Sequence, residues 1–133
     1  MTGCDVLVID DEPVVREAVR RVLEADGFSV ATADDAAAGL EHPGLAACRL
    51  VLCDIMLPDR SGMEVLHEVT VRRPGVPVVL MTGYATPDLS ERAREAGAAA
   101  FLAKPFEASE LTACIRRVLA PHAPTKEEGA WRS

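Results

Sequence analysis

The chain has 133 residues and a formal net charge of −7, with 49% apolar, 26% charged and 4% aromatic residues. This length suits one compact domain, and the balance of apolar and charged residues excludes wholesale disorder. Because the chain is acidic and has no cluster of Lys and Arg, it is poorly suited to bind nucleic acid or an anionic membrane, whereas a cation suits it well.

Five short apolar runs have the length and composition of buried strands. Each is rich in Val, Leu, Ile or Ala and ends at a polar or turn-forming residue. In chain order they cover residues 4–9, 28–33, 50–53, 76–81 and 99–103.

A segment with helical periodicity follows each of these runs. The first helix is predicted to begin at Pro13, a residue that suits the first helical position, and to be closed by Gly27. Asp34 or Asp35 can cap a second helix, which Pro43 is expected to break or kink.

The last three helices have clear start or stop signals. Ser61 and Glu64 have the spacing of a capping box before the third helix, which stops before Pro74. The fourth helix follows Pro87 and is closed by Gly97. The fifth helix is predicted to pack its apolar residues against the sheet: Leu111, Cys114 or Ile115, and Val118 or Leu119.

Five strand–helix units in succession predict a parallel sheet covered on both faces, a doubly wound α/β fold. Right-handed crossovers place the carboxyl ends of all five strands at one edge, where such folds bind ligands. Side chains capable of chemistry follow four of the strands there. They are Asp10 and Asp11, Asp54, Thr82 and Lys104.

Each of these side chains has an ordinary interpretation by itself, since Asp11 alone could cap the first helix and Lys104 could be a solvated charge. Their convergence at one edge favours a site instead. Three carboxylates at close range repel, which should raise some of their pKa values and calls for a counter-cation. Oxygen ligands at a partly solvated edge suit Mg²⁺, and a carboxylate beside Mg²⁺ and a fixed ammonium can attack a phosphoryl group.

Four stretches of the sequence resemble the motifs of response regulator receiver domains. They are Val8–Pro13, with two successive aspartates, Cys53–Met63, Met81–Ala85 and Phe101–Phe106, with a Lys-Pro pair. The resemblance covers about residues 3–120 in the correct order, and we take it as specific.

The resemblance implies a (βα)5 flavodoxin-like fold with strand order 2-1-3-4-5 and phosphoryl transfer to Asp54. The donor would be a sensor histidine kinase or a phosphotransfer protein. The family pattern implies Mg²⁺ held by Asp11, Asp54 and the backbone carbonyl of Met56, with Asp10 assisting through water.

The resemblance also implies a switch. Thr82 and Lys104 would bind the phosphoryl oxygens, Phe101 would be the aromatic switch residue, and the bond between Lys104 and Pro105 is a candidate cis peptide. The surface of the fourth helix, fifth strand and fifth helix would change for an effector, an output domain or a phosphorylation-dependent dimer. Such a domain is a regulatory phosphoacceptor, not an enzyme, and catalyses only its own phosphorylation and dephosphorylation.

Two other functions remain open at this point. An aspartyl-phosphate phosphatase of the haloacid-dehalogenase kind needs an acid two residues after its nucleophile, where this chain has Met56. A degenerate receiver would serve only for docking, although every site position is intact here. A stoichiometric phosphorylation assay with acetyl phosphate and Mg²⁺ would separate the three functions.

Residues 1–120 are expected to form the receiver domain and residues 121–133 a flexible tail or the start of a linker. The four cysteines have neither CxxC nor zinc-site spacing, so we expect reduced, buried thiols. No apolar run approaches the roughly 20 residues of a membrane helix, and the acidic N-terminus is unlike a secretory signal. These features favour a cytoplasmic protein without a membrane partner.

Overall fold

Five parallel strands form the centre of the structure, a computed structural model that describes residues 4–120. The strands lie in the order β2-β1-β3-β4-β5, so the predicted doubly wound sheet and its strand order are confirmed. In chain order the strands are β1 (Val6–Ile9), β2 (Val30–Ala33), β3 (Leu50–Asp54), β4 (Val78–Thr82) and β5 (Ala100–Ala103).

Helices cover both faces of this sheet. Helices α1 (Pro13–Ala25) and α5 (Ala108–Val118) pack on one face. Helices α2 (Ala36–Leu40), α3 (Gly62–Arg72) and α4 (Pro87–Glu95) pack on the other face. The sequence of β3 is a continuous apolar run because helices cover both faces of the strand. Leu50 and Leu52 face α1 and α5, while Val51 and Cys53 face the other helices.

The strands differ from their predicted bounds by one or two residues. Strand β1 begins at Val6 instead of Cys4, β2 at Val30 and β4 at Val78, while β3 includes Asp54. Pairing with a neighbouring strand sets these limits, and an apolar run alone does not show where pairing starts.

Proline and glycine have the predicted effects on the helices. Helix α2 ends at Leu40, and Pro43 begins a separate 3₁₀ turn, so the predicted break is confirmed. Gly27 and Gly97 close α1 and α4 with φ angles of +94° and +103°, in the left-handed region that favours glycine.

The capping box expected at α3 is absent. Ser61 Oγ accepts a hydrogen bond from the backbone N–H of Met63 at 3.0 Å, without the reciprocal bond from Glu64 that a capping box requires. Within the described residues, a capping box occurs instead at α5, between Glu107 and Glu110.

The N-terminus of α2 is held by a carboxylate from another part of the chain. Asp59, in the loop between β3 and α3, accepts hydrogen bonds from the N–H groups of Ala36 and Ala37, both at 2.9 Å. Asp35 accepts a third bond, from Ala38 at 2.7 Å. Two carboxylates therefore satisfy three of the N–H groups that a helix leaves unpaired at its start. The hydrogen bond from Ala36 is the main reason that the pKa of Asp59 is lowered.

Substituting Asp59 with alanine is expected to lower the free energy of unfolding by about 1 kcal/mol at neutral pH. Because the folded pKa of Asp59 is below its unfolded value, this stability is present above about pH 4 and is lost as the pH falls through the folded pKa. Urea unfolding at several pH values measures the difference. The control is Asp34→Ala, which removes an exposed carboxylate nearby. Equal stability of the two variants would contradict the capping role.

No helix within residues 4–120 is long and apolar enough to cross a membrane. Residues 121–133, which the sequence predicts to be a tail or linker, lie outside the described residues, so that assignment stays a prediction.

Candidate functional site

The carboxyl ends of the strands bring the candidate residues together. Asp10 directly follows β1, Asp54 ends β3, Thr82 ends β4 and Lys104 directly follows β5. The ladders are in register along this edge, since Ile9 pairs with Cys53, Asp54 with Met81 and Thr82 with Ala103. The sheet therefore positions these groups at one edge, as the strand pattern predicts.

The ammonium group of Lys104 is the centre of the site. Its Nζ donates to Asp54 Oδ2 at 2.7 Å, to Asp10 Oδ2 at 2.8 Å and to Glu12 Oε1 at 3.2 Å. Asp10 and Asp54 are buried, and the Lys104 side chain is 12% exposed. The ion pairs are thus shielded from water. Charges interact more strongly in such a buried environment than at the protein surface.

Burial and the neighbouring charges shift the pKa values of this group in opposite ways. Burial raises the pKa of Asp54, and the Asp10 charge adds to this, whereas the hydrogen bonds from Lys104 and Met56 lower it. For Lys104, burial lowers the pKa, but the hydrogen bonds to Asp10 and Asp54 and their charges outweigh it, so its pKa lies above the usual value. The raised carboxyl pKa expected from the sequence occurs at Asp54, with burial as the larger cause and repulsion as the smaller.

Three carboxylates form a group that could hold a metal ion. Oxygen atoms of Asp10, Glu12 and Asp54 all lie within 4.8 Å of one another. This oxygen donor set suits Mg²⁺, which takes few protein carboxylates and keeps several waters.

The membership of this group differs from the set that the resemblance implies. Among residues 4–120, the group includes Glu12 and omits Asp11, whose side chain is exposed. Sequence reasoning did not single out Glu12, although it stands beside the two aspartates. The direction of a side chain in a short loop decides which acid faces Asp54, and no periodicity reports that direction.

The loop after Asp54 fixes its carboxylate. Asp54 Oδ1 accepts a hydrogen bond from the N–H of Met56 at 2.9 Å, while Oδ2 is bound by Lys104. Met56 forms an antiparallel bridge with Ser61, and the N–H of Gly62 donates to the carbonyl of Ile55 at 2.8 Å. Both carboxylate oxygens are therefore oriented by hydrogen bonds at the end of β3.

Thr82 and Phe101 lie on the same face of the sheet. Phe101 is opposite Leu80, the residue two positions before Thr82 on β4, and it is 1% exposed. The buried Thr82 hydroxyl oxygen accepts the N–H of Tyr84 at 3.1 Å. The carbonyl of Thr82 accepts the N–H of Lys104 at 2.9 Å, and the peptide bond between Lys104 and Pro105 is cis.

A cavity of about 770 Å³ opens beside the acids, between α1 and the start of α5. Asp54 and Lys104 are among the residues that line it. Apolar residues of the two helices and of the loop before α5 also line it: Val14, Val15, Ala18, Phe106 and Leu111. The sequence predicts apolar helix faces, but this groove depends on how α1 and α5 lie next to each other.

Arg16 is a further residue that the sequence pattern does not distinguish. Its Nη1 donates to the backbone carbonyl of Asp10 at 2.7 Å and so ties α1 to the loop that holds the acids.

Comparisons with known proteins point in one direction. The family model described as "Response regulator receiver domain" matches residues 6–116. A crystal structure of a response regulator receiver domain protein from Clostridium thermocellum superposes with a TM-score of 0.81 at 31% identity. The match covers 87% of this chain and 94% of that one.

Two curated relatives are longer proteins. The probable transcriptional regulatory protein TcrX of Mycobacterium tuberculosis is 35% identical over 114 residues, which cover 86% of this chain and 49% of that protein. The transcriptional regulatory protein FixJ of Bradyrhizobium diazoefficiens is 35% identical over 127 residues, covering 94% of this chain and 61% of that protein. The chain thus spans about half to three fifths of the length of these relatives.

Proposed function

Because this chain belongs to the family of response regulator receiver domains, we propose that Asp54 accepts a phosphoryl group from a phosphohistidine. The domain is a regulatory part of a two-component system. The donor is a sensor histidine kinase or a phosphotransfer protein, and the domain catalyses only its own phosphorylation and dephosphorylation. The main support is the placement of Asp54, whose carboxylate is held by Lys104 and Met56 and lines the cavity.

The chemistry requires a nucleophile and a means of neutralising charge. An Asp54 oxygen attacks the phosphorus atom, the P–N bond to the imidazole breaks, and the imidazole leaves with the bonding electron pair. The Lys104 ammonium supplies a fixed positive charge beside the reacting carboxylate, and the Thr82 hydroxyl is a donor for a phosphoryl oxygen. Positioning and charge stabilisation of this kind account for most catalysis of phosphoryl transfer.

Mg²⁺ fits this acidic site, where it would neutralise the charge of the phosphoryl oxygens. Asp10, Glu12 and Asp54 are the carboxylates grouped closely enough to hold it. The family pattern adds Asp11 and the backbone carbonyl of Met56. Asp10 and Asp54 belong to both sets. We propose that these two carboxylates hold the ion and that Glu12 or Asp11 supplies the third.

The cavity beside Asp54 suits the phosphodonor protein. Two of the residues that line it are exposed apolar side chains: Val14 on α1 is 82% exposed, and Tyr84 after β4 is 73% exposed. A partner helix that presents a phosphohistidine could cover these groups while its imidazole reaches Asp54. The relatives are transcriptional regulators, so we propose that the receiver controls an output domain or effector, with a phosphorylation-dependent dimer as one route.

The phosphoacceptor assignment is tested by intact-protein mass spectrometry after incubation with acetyl phosphate. The wild-type protein should gain one phosphoryl group in the presence of Mg²⁺ and none in EDTA, and Asp54→Asn should gain none. The matched control is Asp59→Asn, which changes a carboxylate in the loop that follows Asp54 but outside the acid cluster. This variant should still gain one phosphoryl group.

Other outcomes separate the alternatives. Equal modification of Asp54→Asn and the wild type would overturn the assignment. An unmodified wild-type protein would support a docking-only receiver. Catalytic release of phosphate from an added phosphomonoester would support the phosphatase.

Thr82 and Phe101 are proposed to report the phosphorylation state. If the Thr82 hydroxyl turns to a phosphoryl oxygen, it gives up the hydrogen bond from Tyr84 and leaves space on the face where Phe101 is buried. The packing of α4 against β5 then changes, and a partner can prefer one state.

Removing the hydroxyl should break this coupling. In Thr82→Val, Asp54 should still be modified, but the NMR signals of the Phe101 ring and the α4 amides should change much less on phosphorylation than in the wild type. Thr70→Val, on α3, is the control and should respond like the wild type. Equal responses of Thr82→Val and the wild type would leave Phe101 an ordinary core residue.

A further inference from the structure

Two cysteines lie near each other at the end of the sheet that is remote from Asp54. Strands β1 and β3 are neighbours in the sheet and pair from Val6 and Leu50 to Ile9 and Cys53. Cys4 lies two residues before β1, and Cys48 lies two residues before β3. Both cysteines therefore lie where these two neighbouring strands begin.

Hydrogen bonds support this placement. The carbonyl of Gly44 accepts both the N–H of Cys48 at 2.8 Å and the thiol of Cys4 at 3.6 Å. The carbonyl of Asp5 accepts hydrogen bonds from the N–H groups of Arg49 and Leu50 at 2.9 and 3.1 Å. The segments that precede β1 and β3 therefore stay close together beyond the paired residues.

The two thiols also share one face of the sheet. Cys48 is 1% exposed and belongs to the core beneath α2 and α3, and the half-buried Cys4 packs against the same core. The thiols are close enough for the charge on Cys4 to act on Cys48. The outer position of Cys4 makes it the one that a small oxidant can reach.

We propose that Cys4 and Cys48 are an oxidation site at which a hydroperoxide produces an intramolecular disulfide. The Cys4 thiolate attacks a peroxide oxygen, the O–O bond breaks, and the products are a sulfenic acid on Cys4 and an alkoxide or hydroxide that takes up a proton. The Cys48 thiolate then attacks the Cys4 sulfur, the S–O bond breaks, and hydroxide leaves as water. Two thiols and one hydroperoxide thus give one disulfide, one water and one alcohol or second water.

The other two cysteines are placed differently. Cys53 is fully buried beside Asp54, where burial and the nearby carboxylates raise its thiol pKa. Cys114 belongs to the core on the opposite face of the sheet, under α5. Burial also raises the pKa values of Cys4 and Cys48, while the Arg73 charge opposes this for Cys48. Oxidation of the pair is therefore slow at neutral pH, because the thiolate is the reacting form.

The disulfide would join the chain entering β1 to the chain entering β3, away from the acid cluster. It would restrict the unfolded chain and so raise the thermal unfolding midpoint. Because the phosphoacceptor lies at the opposite end of both strands, the rate of Asp54 modification should be unchanged within twofold.

The test uses the full chain, fully reduced and then incubated with hydrogen peroxide. Remaining thiols are blocked with iodoacetamide before non-reducing digestion and mass spectrometry. We expect a peptide linking Cys4 to Cys48, loss of two hydrogen atoms from the intact protein, and a raised melting midpoint that dithiothreitol reverses.

Variants identify the pair. Cys4→Ser and Cys48→Ala should each abolish the linked peptide, whereas Cys114→Ser, a buried cysteine on the other face, should retain it. If Cys48→Ala does not fold, Cys4→Ser still decides, since it changes the more exposed partner. Sulfinic acid on Cys4 with Cys48 unmodified, a link between two molecules, or a link to Cys53 or Cys114 would overturn the proposal.

Discussion

Replacing Gly62 with alanine is expected to lower the free energy of unfolding by about 3 kcal/mol and to slow phosphorylation of Asp54. A β-carbon at this position would lie 2.4 Å from the carbonyl oxygen of Asp54 and 2.7 Å from the Cα of Ile55. These are backbone atoms at the end of β3, so the clash is relieved only by moving the strand end and the start of α3 apart. That movement displaces the carboxylate that Lys104 and Met56 hold in place.

Urea unfolding and the rate of modification by acetyl phosphate measure both effects. The control is Gly75→Ala, at an exposed glycine where an added β-carbon meets nothing within 4 Å. This control should match the wild type or be slightly more stable, because alanine restricts the unfolded chain. If the two alanine variants were equally stable, the strand end and α3 would have to be less tightly packed than the structure indicates.

Replacing Lys104 with methionine is expected to lower the free energy of unfolding by about 3–5 kcal/mol at neutral pH. The substitution keeps the length of the side chain and removes the charge that pairs with Asp10 and Asp54. Two buried carboxylates would then face each other without a cation, which is far more costly than losing an exposed ion pair.

This destabilisation should depend on pH with a definite sign. Without the ammonium, the folded pKa of Asp54 rises further above its unfolded value. A raised folded pKa means that stability is lost as the pH rises through the unfolded value towards the folded one, so Lys104→Met should recover stability relative to wild type in acid. The double variant Lys104→Met/Asp54→Asn should also recover most of the loss, because it removes one of the two repelling charges.

The matched control for Lys104 is Arg49→Met. Arg49 pairs with Asp5 at 3.4 Å and is 56% exposed, so its removal should cost about 1 kcal/mol or less. If Lys104→Met were as mild as Arg49→Met at neutral pH, the ammonium could not be the main partner of the buried acids.

Much of the fold follows from patterns that the sequence displays locally. Buried parallel strands appear in the sequence as continuous apolar runs, and amphipathic helices appear as apolar residues with a 3.6-residue period. Gly27 ends α1 and Pro43 begins a new turn because of the backbone conformations that each residue allows. Because the carboxyl ends of parallel strands meet at one edge, the chain order of Asp10, Asp54, Thr82 and Lys104 predicts their meeting without any knowledge of distances. The sequence also leads to the receiver family, which the comparisons confirm.

The tertiary structure decided features that depend on the direction of side chains and on distant segments. The path of a short loop brings Glu12 into one group with Asp10 and Asp54, and Asp59 caps α2 across a gap of 22 residues or more. Gly62 is required because the backbone at the end of β3 passes close to it, and Cys4 and Cys48 both donate to the carbonyl of Gly44 because the segments before β1 and β3 lie close together. Local patterns specify which elements form and in which order, whereas these contacts arise only when elements far apart in the chain pack together.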